Sequence, residues 1–395
     1  MTNSTPCYIY LLNSFPNLSE TFISDEIHCL LKQGVTIKVF SLDKPDLSTV
    51  HPNAKEILES GIVEYLDQPT PLKKLSSLLR LILINPSRLV SLLKLDVASW
   101  IKFEALGYLS KLTSTHPAHI HCHYAAHSSQ IALVVNHCKD IPFSITTHGY
   151  DVFFEAPDNY DVLANYAQTI FTISNYNREY LLQHYQLNPA KLMTRYCGVD
   201  TAKFNTMAFK EINLNEPINI LTVARLHPVK GHKILLKAAA ELKIQYSWQL
   251  NFWFAGDGPL RNELEALAKQ LNLTEHVHFL GNQSQDQVRE LINNSHLFVL
   301  PSLSEGIPIS LMEAMAGNTP VIGPNINGVP ELIQNKKEGL LFEPGNVASL
   351  TDSICEIIKN HKQLNTITTN ARLKVESVFS LEKNTLDKFS QYSNQ

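Results

Sequence analysis

Two glutamates mark the densest group of chemically capable side chains in the sequence. Pro308 suits the first turn of a helix, which predicts Glu305 in the loop before that helix and Glu313 one to two turns inside it. At helical rise their separation spans at most about 12 Å, so the two carboxylates could contact two ends of one extended ligand. Backbone N–H groups near Gly306 and Ile307 would be free to meet an anion. The alternative is that both carboxylates only stabilise the helix dipole, but a carboxylate deep in an apolar segment costs stability unless it has partners.

Two cations follow a predicted strand earlier in the chain. Arg225 and Lys230 lie in the loop between the apolar run at 218–223 and the next helical pattern. Cations beside a helix N-terminus make a site for a diphosphate. They could equally be solvated surface cations, because basic side chains are mostly exposed.

Histidines mark the first half of the chain. His148 follows a predicted strand at 143–147. It would point from the strand's carboxyl end into a ligand cleft, or it is a histidine satisfied within a turn. His121 and His123 share one face of another predicted strand, a spacing typical of metal ligands. No third ligand is apparent nearby in the sequence, and zinc usually takes three or four protein ligands, so we predict no metal site.

The elements that position these residues are strands that alternate with helices along the chain. In the second half, short apolar runs alternate with helical patterns, which predicts a parallel sheet covered on both faces with right-handed crossovers. The predicted strands are 218–223, 250–254, 277–280, 297–300, 320–322 and 339–342, and the predicted helices are 232–242, 260–271, 285–293, 308–316 and 346–359. In the first half we predict strands at 8–12, 35–42, 120–124, 143–147 and 169–173 and a helix at 20–32. The pattern is that of an α/β protein with two Rossmann-like doubly wound domains facing a central cleft.

Composition limits the function classes. A chain of 395 residues is too long for one ordinary core, and the periodicity lapses near 202–217, so we place an N-terminal domain at 1–205 and a second domain at 206–374. A net charge of −4 offers no general attraction to nucleic acid. The six cysteines are scattered, which argues against a zinc ribbon or a disulfide framework. We see neither a basic signal-peptide start nor an apolar run of the ~18 residues that a spanning helix needs, and we expect a cytoplasmic protein.

The segment 72–102 is basic and rich in leucine and isoleucine. Its charged residues are Lys73, Lys74, Arg80, Arg88, Lys94 and Lys102, against one acid, Asp96. Pro86 divides it into two short helices. Basic amphipathic helices bind anionic membrane surfaces, which would place the protein at the inner face of the cytoplasmic membrane. The alternative is that their apolar faces pack on the first domain.

In combination, these motifs resemble the family-4 retaining glycosyltransferases of the GT-B fold over most of the chain. The strongest part is the pair of glutamates, Glu305 and Glu313, with seven residues between them. Further motifs at family-like spacing are Cys197-Gly198-Val199-Asp200, Val223-Ala224-Arg225-Leu226 with Lys230-Gly231, Ala255-Gly256-Asp257-Gly258-Pro259, Pro320-Val321-Ile322, Gly328-Val329-Pro330-Glu331-Leu332 and Glu338-Gly339-Leu340-Leu341. The end of the chain, 375–395, resembles the GT-B tail that returns to the first domain.

The resemblance implies transfer of a hexose from a UDP- or GDP-sugar to a saccharide or lipid-linked saccharide, with the anomeric configuration retained. Arg225 and Lys230 would hold the diphosphate, Glu313 the ribose, and Glu305 the sugar hydroxyls, with His148 near the sugar or its phosphate. The backbone of Gly306, Ile307, Pro308 and Ile309 would assist Glu305, and the base would lie near Leu280. The leaving phosphate would take the acceptor's proton while the two cations stabilise its charge, so no metal is expected.

The loop after the first strand departs from the glycine pair of many relatives. Its Ser19-Glu20-Thr21-Phe22 sequence resembles a branch involved in exopolysaccharide, colanic-acid-like or capsule biosynthesis. We assign Ser19, Thr21, His123 and Asp151 to the acceptor side, although Ser19 could simply cap the helix.

Two other functions use the same fold. A nucleotide-sugar epimerase would need acid and base groups matched to proton abstraction, and no such set is apparent. A non-catalytic nucleotide-sugar-binding scaffold would not need the complete set of Arg225, Lys230, Glu305 and Glu313.

Overall fold

The computed structural model describes residues 6–17, 20–47, 50–204 and 207–393. The chain divides into two compact units, Met1–Arg195 with Glu382–Gln395, and Tyr196–Leu381. These compact units meet at 195/196 and 381/382, whereas the sequence predicts domain boundaries at 205/206 and 374/375. The reason is a pair of backbone hydrogen bonds within the second unit: the Val199 N–H donates to Phe379 O at 3.0 Å, and the Leu381 N–H donates to Val199 O at 3.1 Å.

Each unit is built on one parallel sheet. The strands of the first are β1 Cys7–Ser14, β2 Thr36–Asp43, β3 Val63–Tyr65, β4 His119–His123, β5 Phe143–Thr147, β6 Thr169–Thr172 and β7 Leu192–Thr194. Those of the second are β8 Ile218–Val223, β9 Leu250–Ala255, β10 Val277–Gly281, β11 Leu297–Val299, β12 Val321–Pro324 and β13 Leu340–Phe342. The described strands run in the order β3-β2-β1-β4-β5-β6-β7 in one sheet and β10-β9-β8-β11-β12-β13 in the other.

Helices connect these strands. Those before the second sheet are α1 Thr21–Lys32, α2 Pro52–Glu59, α3 Pro71–Ile84, α4 Pro86–Lys94, α5 Ser99–Leu112, α6 His127–Lys139, α7 Tyr150–Phe153, α8 Tyr160–Tyr166 and α9 Asn175–His184. The others are α10 His232–Gln245, α11 Arg261–Gln270, α12 Gln285–Asn294, α13 Ile309–Ala316, α14 Val329–Leu332, α15 Val347–Lys359, α16 Leu364–Val378 and α17 Leu381–Ser393.

The sheets are apolar on both faces, as parallel sheets require. In β1, Ile9 and Leu11 enter one buried cluster, and the alternate residues Tyr10 and Leu12 enter another. Because successive side chains point to opposite faces, a strand covered on both sides appears in the sequence as a continuous apolar run.

The last helix belongs to the first unit. In α17, Phe389 lies edge-on against Tyr8 with ring centroids 4.8 Å apart, and Tyr392 stacks on His119 at 4.5 Å. The preceding helix, α16, stays with the second unit. The chain's end therefore returns to the first unit, as the resemblance implies, but it does so from residue 382.

In each sheet the strand order reverses at one point. This point lies between β1 and β4 in the first sheet and between β8 and β11 in the second. Ligands of doubly wound sheets bind beyond the carboxyl ends of the strands at such a point. The loops that follow these four strands are therefore the candidate ligand-binding loops.

A glycine lets two of these loops touch. Gly231, which ends the short 3-10 turn Pro228–Lys230, has a φ of +66°, and a Cβ there would lie 2.0 Å from the carbonyl oxygen of Pro301. Gly345 has a similar φ of +77°, but the nearest atom to its Cβ position is 3.8 Å away. Of these two glycines, Gly231 is the one required by both backbone conformation and space.

Gly231→Ala should therefore destabilise the protein far more than Gly345→Ala. The left-handed backbone costs both variants about 1–2 kcal/mol, and overpacking adds about 1–3 kcal/mol at Gly231 alone. Urea unfolding of the two variants measures the difference, and equal losses of stability would contradict the close contact of the two loops.

Candidate active site

The loops after β8 and β11 are joined by backbone and side-chain contacts. The Leu303 N–H donates to Val229 O at 2.8 Å, and Lys230 Nζ donates to Glu305 Oε1 at 2.6 Å. The amide of Asn327 donates to the carbonyl of Glu305 at 3.0 Å. The structure thus brings Lys230 and Glu305 together at the switch point of the second sheet.

This ion pair is largely withdrawn from water. The side chain of Lys230 is 20% exposed and that of Glu305 is 8% exposed. A charge-assisted hydrogen bond of this kind is roughly twice as strong as a neutral one, and a buried carboxylate without a partner is costly. The second carboxylate oxygen of Glu305 has no hydrogen-bond partner among the described residues, so it is available to a ligand.

The helix that follows Glu305 has an anion-binding start. Helix α13 begins at Ile309 with Pro308 as its N-cap, so Pro308 precedes the first turn that we predicted for it. Within the described part of the chain, the N–H groups of Gly306 and Ile307 donate to no backbone or side-chain acceptor. Such groups beside a helix N-terminus suit a phosphate.

Glu313 lies in the second turn of α13, as predicted. Its neighbours Met312 and Ala314 are fully buried, and Glu313 itself is half-buried. The apolar face of α13 packs inward, and the carboxylate reaches the helix's more accessible side.

The two predicted cations differ in their surroundings. Arg225 is exposed and has no ion-pair partner among the residues that the structure describes. Lys230 directly precedes Gly231, which is the N-cap residue of α10. The prediction of a cation beside a helix N-terminus is therefore confirmed for Lys230, while Arg225 is a solvated side chain in this structure.

The loop after β9 is fastened to the loop after β8. The Leu226 N–H donates to Asp257 O at 2.9 Å, and the Gly256 N–H donates to Gly281 O at 2.8 Å. Leu280, which we assigned to the donor's base, is half-buried near the end of β10. Its contact with a base stays a prediction.

The first sheet has a pocket at its own switch point. It is lined by residues from the ends of β1 and β4 and from the start of α1: Leu12, Asn13, Ser14, Asn17, Glu20, Ile23, His123 and Tyr124. His123 was predicted to lie on the acceptor side. The sequence analysis did not predict three of these residues, Asn13, Ser14 and Tyr124. Their positions at the ends of strands could have indicated a place in the pocket.

The other predicted acceptor residues have mixed outcomes. Thr21 is the half-buried first residue of α1. Ser19 lies outside the described residues, both as an acceptor contact and as a helix cap, and Glu20 takes the N-cap position. The Asp151 carboxylate accepts N–H groups of Ala125 and His148, each at 2.8 Å. Asp151 therefore fastens two loops, and its contact with an acceptor stays a prediction.

His148 follows β5 as expected and is almost fully buried. Its Nε2 is 3.0 Å from Nδ1 of His123, and its carbonyl accepts the side-chain amide of Asn177 at 2.6 Å. Burial, aided by the positive charge of Lys388, holds the pKa of His148 well below its usual value. His148 is thus a neutral, well-anchored histidine, and its contact with a sugar stays a prediction.

A buried carboxylate beside these histidines was missed in the sequence. Glu26, on α1, accepts a hydrogen bond from the Tyr10 hydroxyl at 2.7 Å and pairs with Lys388 of α17. Burial by itself would raise the pKa of Glu26, but Lys388 and the two histidines beside it, His123 and His121, hold that pKa well below its usual range.

Three side chains that could ligate a metal ion lie together here, namely Glu26, His121 and His123. This group was not predicted from the sequence. Their ligand atoms lie within 4.8 Å of one another. The ammonium of Lys388 already lies against Glu26, and His121 uses its ring nitrogens on Ser144 at 2.7 Å and Thr146 at 3.0 Å. The arrangement already contains a cation supplied by the protein, and the absence of a metal requirement stays a prediction.

Comparison with known proteins identifies the family. The model described as Glycosyltransferase Family 4 matches residues 19–203, and the model described as Glycosyl transferases group 1 matches residues 204–374. An uncharacterised glycosyltransferase of Methanocaldococcus jannaschii is 30% identical over 271 residues, which is 67% of this chain and 72% of that protein. The chain belongs to the family-4 glycosyltransferases.

Other relatives of this family-4 glycosyltransferase are named for bacterial polysaccharides. WcaL of Escherichia coli K12, provisionally named as a colanic acid biosynthesis glycosyltransferase, is 26% identical over 94% of this chain and 95% of its own length. Matches at 30% identity to the WcaL of Salmonella typhimurium and to the amylovoran biosynthesis glycosyltransferase of Erwinia amylovora cover 49% and 48% of this chain. The matched segments cover 48% and 47% of those two proteins. The chain therefore spans about half the length of each of them.

A solved structure shares the fold. Anabaena HepE in complex with UDP and glucose has a TM-score of 0.75 at 16% identity, over 99% of this chain and 100% of that one. The predicted GT-B class, with two Rossmann-like parallel α/β domains, is thereby confirmed.

The Lys230–Glu305 pair should show strong energetic coupling. Lys230→Met leaves the Glu305 carboxylate without its counter-ion and should lower the free energy of unfolding by about 2–3 kcal/mol. Adding Glu305→Gln removes the stranded charge and should recover about 1–2 kcal/mol.

The exposed pair Lys336–Glu356, with side chains 64% and 39% exposed, is the matched control. The corresponding Lys336→Met and Glu356→Gln cycle should show less than about 1 kcal/mol of coupling. Urea unfolding measures both cycles, and equal coupling would show that the Lys230–Glu305 pair behaves as an ordinary surface contact.

Proposed function

We propose that the protein transfers a hexose from a UDP- or GDP-sugar to a saccharide or lipid-linked saccharide acceptor, with retention of configuration, in surface polysaccharide biosynthesis. The observation that carries this proposal is the Lys230–Glu305 pair at the switch point, beside the N–H groups of Gly306 and Ile307. Relatives named for colanic acid and amylovoran biosynthesis support the polysaccharide context, and the HepE complex with UDP and glucose supports the donor class.

Donor binding is an exchange of partners at the ion pair. The diphosphate brings negative charge to Lys230 and to the start of α13, and it competes with Glu305 for the ammonium. The carboxylate of Glu305 then turns to the hydroxyls of the sugar, which donate to it. Because each partner keeps a hydrogen bond throughout, neither charge is left unpaired in a poorly hydrated site.

The same cation serves the chemical step. As the bond from the sugar to the phosphate breaks, negative charge grows on the leaving diphosphate, and Lys230 stabilises it together with Arg225, once that solvated side chain turns inward. The leaving phosphate takes the acceptor's proton. Positive charge comes from these two side chains, so the proposed reaction needs no divalent metal.

Glu313 and Glu305 should have separable effects in this scheme. Glu313→Gln removes a charged acceptor from the ribose and should weaken UDP or GDP binding by about tenfold or more. Glu305→Gln removes the carboxylate that competes with the diphosphate for Lys230, so it should not weaken nucleotide affinity, and it should lower turnover with the full donor. Thermal shift with nucleotides, followed by release of UDP or GDP, measures the two effects.

Glu290→Gln is the matched control, since Glu290 is an exposed glutamate on α12 of the same unit. A nucleotide at 100 times its dissociation constant should stabilise the wild type by about 2.7 kcal/mol. If no UDP, GDP or ADP species shifts the wild type, the proposed function is wrong. If Glu305→Gln abolishes nucleotide binding and spares the turnover of bound donor, the division of roles is wrong.

We further propose that the face formed by 72–102 docks on an anionic membrane. The helices α3, α4 and α5 pack Leu81, Leu92 and Ile101 into the core of the first unit. Their opposite side exposes large apolar residues: Leu72, Leu75, Leu79, Ile82, Leu83, Val90, Leu93, Trp100 and Phe103. One face of these helices therefore packs on the first unit, and the exposed face is the one that we propose for docking.

Charge on this face suits acidic lipid. Lys73, Arg80 and Lys94 are exposed among the apolar residues, while Arg88 pairs with Asp140. No single helix of the described chain is long and apolar enough to cross a bilayer, although α3 and α4, bent by 118°, reach that length and composition together. Docking would bring the enzyme to a lipid-linked acceptor.

Co-sedimentation with vesicles tests this docking. The wild type should bind phosphatidylglycerol vesicles and not phosphatidylcholine vesicles. Changing Lys73, Arg80 and Lys94 to Gln should weaken binding about 100-fold, since each cation near the surface contributes about 1 kcal/mol. Changing three exposed lysines of the second unit, Lys237, Lys269 and Lys362, to Gln alters the net charge equally and should have little effect. Absence of binding to anionic vesicles would overturn the proposal.

A further inference from the structure

A chain of buried polar groups leads from the last helix to His148. Lys388 pairs with Glu26, whose Oε1 is 3.6 Å from Nε2 of His123. Nδ1 of His123 is 3.0 Å from Nε2 of His148. All four residues are at most 7% exposed. Burying this many polar and charged groups is costly, so the arrangement calls for an explanation beyond packing.

The carboxylate decides where the proton of His123 lies. Burial lowers the pKa of His123, which is therefore neutral and carries one ring N–H. At 3.6 Å the contact with Glu26 is too long for a good hydrogen bond. Its negative charge nevertheless favours an N–H dipole directed at it. His123 therefore carries its proton on Nε2 and presents Nδ1 as an acceptor.

The proton of His148 follows from that of His123. Since Nδ1 of His123 accepts, Nε2 of His148 must be the donor in the 3.0 Å hydrogen bond. A neutral imidazole has only one N–H, so Nδ1 of His148 keeps its lone pair. This atom has no hydrogen-bond partner in the described part of the structure. The rings of Phe22 and Tyr124 pack against the ring of His148, each with its centroid 4.6 Å away.

The chain of contacts ends beside the pocket of the first unit. His123 and Tyr124 both line that pocket and both contact His148. Sugar hydroxyls can donate to an aromatic nitrogen, so an acceptor atom here suits a saccharide. A protonated Nδ1 would instead present a donor and would select a different hydrogen-bond pattern.

We propose that Glu26, held in place by Lys388, is a positioning residue that sets the tautomer of His148 through His123, so that Nδ1 of His148 accepts a hydrogen bond from a hydroxyl of the bound saccharide. The proposal rests on the proposed glycosyl transfer for the identity of its ligand. The tautomer itself is a property of the protein without ligand. Lys388 contributes by keeping the carboxylate of Glu26 ionised and in place, which couples the end of the chain to the histidine.

Nitrogen-15 NMR of protein labelled at histidine tests the tautomer directly. At pH 7 the wild type should show His148 with a protonated Nε2 and an unprotonated Nδ1, the signals being assigned by their loss in His148→Gln. An Nδ1–H tautomer or an imidazolium at His148 in the wild type would overturn the proposal, whatever the variants do.

The double variant Glu26→Gln with Lys388→Met removes both charges and so leaves no unpaired ion. It should shift the nitrogen signals of His123 and His148 towards the other tautomer. His119→Gln removes a histidine that is equally buried on β4 but lies outside this chain of contacts, and it should leave the tautomer of His148 unchanged. If the double variant folds and the signals of His148 do not move, Glu26 does not set its tautomer.

Kinetics separate positioning from donor binding. The double variant should lower kcat about tenfold or more, while its thermal shift with UDP or GDP stays that of the wild type, because the ion pair Lys230–Glu305 is untouched. An unchanged kcat would overturn the role in catalysis. If the wild type has the expected tautomer but transfers no sugar from any donor, the proposed function fails and the assignment of the tautomer stands.

Discussion

The ion pair between Lys230 and Glu305 is the constraint around which the second unit's site is organised. Strand order places β8 beside β11, so the two loops that follow them must meet. Two partly buried charges in those loops are tolerable only together. Gly231 removes the side chain that would hold the loops apart. Lys230 and Glu305 are therefore already paired in the structure, and in the proposed function the donor exchanges partners with this pair.

Much of the second unit could be predicted because its strands are covered on both faces and appear as continuous apolar runs. The same criterion failed for β3 and β7 in the first unit, which are only three residues long. It also failed for α5, where Ala105, Leu106 and Tyr108 are buried on different sides of the helix. The stretch 104–109 of that helix is buried on all sides and shows no amphipathic stripe, so periodicity could not delimit it.

The site was predictable where its residues are local in sequence. Glu313 attracted attention because a carboxylate stands in an apolar helix, and Glu26 presents the same signal between the buried Ile23 and Ile27. What the sequence could not supply was the partner, since Lys388 lies 362 residues away. The sequence of a helix can indicate that a charged side chain in it is buried. The role of that side chain follows only from the oppositely charged group with which it pairs.

Access to water distinguishes the Lys230–Glu305 pair from the Lys388–Glu26 pair. Lys230 is 20% exposed in its pair, whereas Lys388 is 7% exposed in its own. A cation that reaches solvent can leave its carboxylate for a phosphate without first becoming desolvated. A cation enclosed with Glu26 has no such path, and separating that pair would leave two buried charges unpaired. The same chemical pair is therefore suited to ligand exchange in the second unit and to holding a fixed hydrogen-bond pattern in the first.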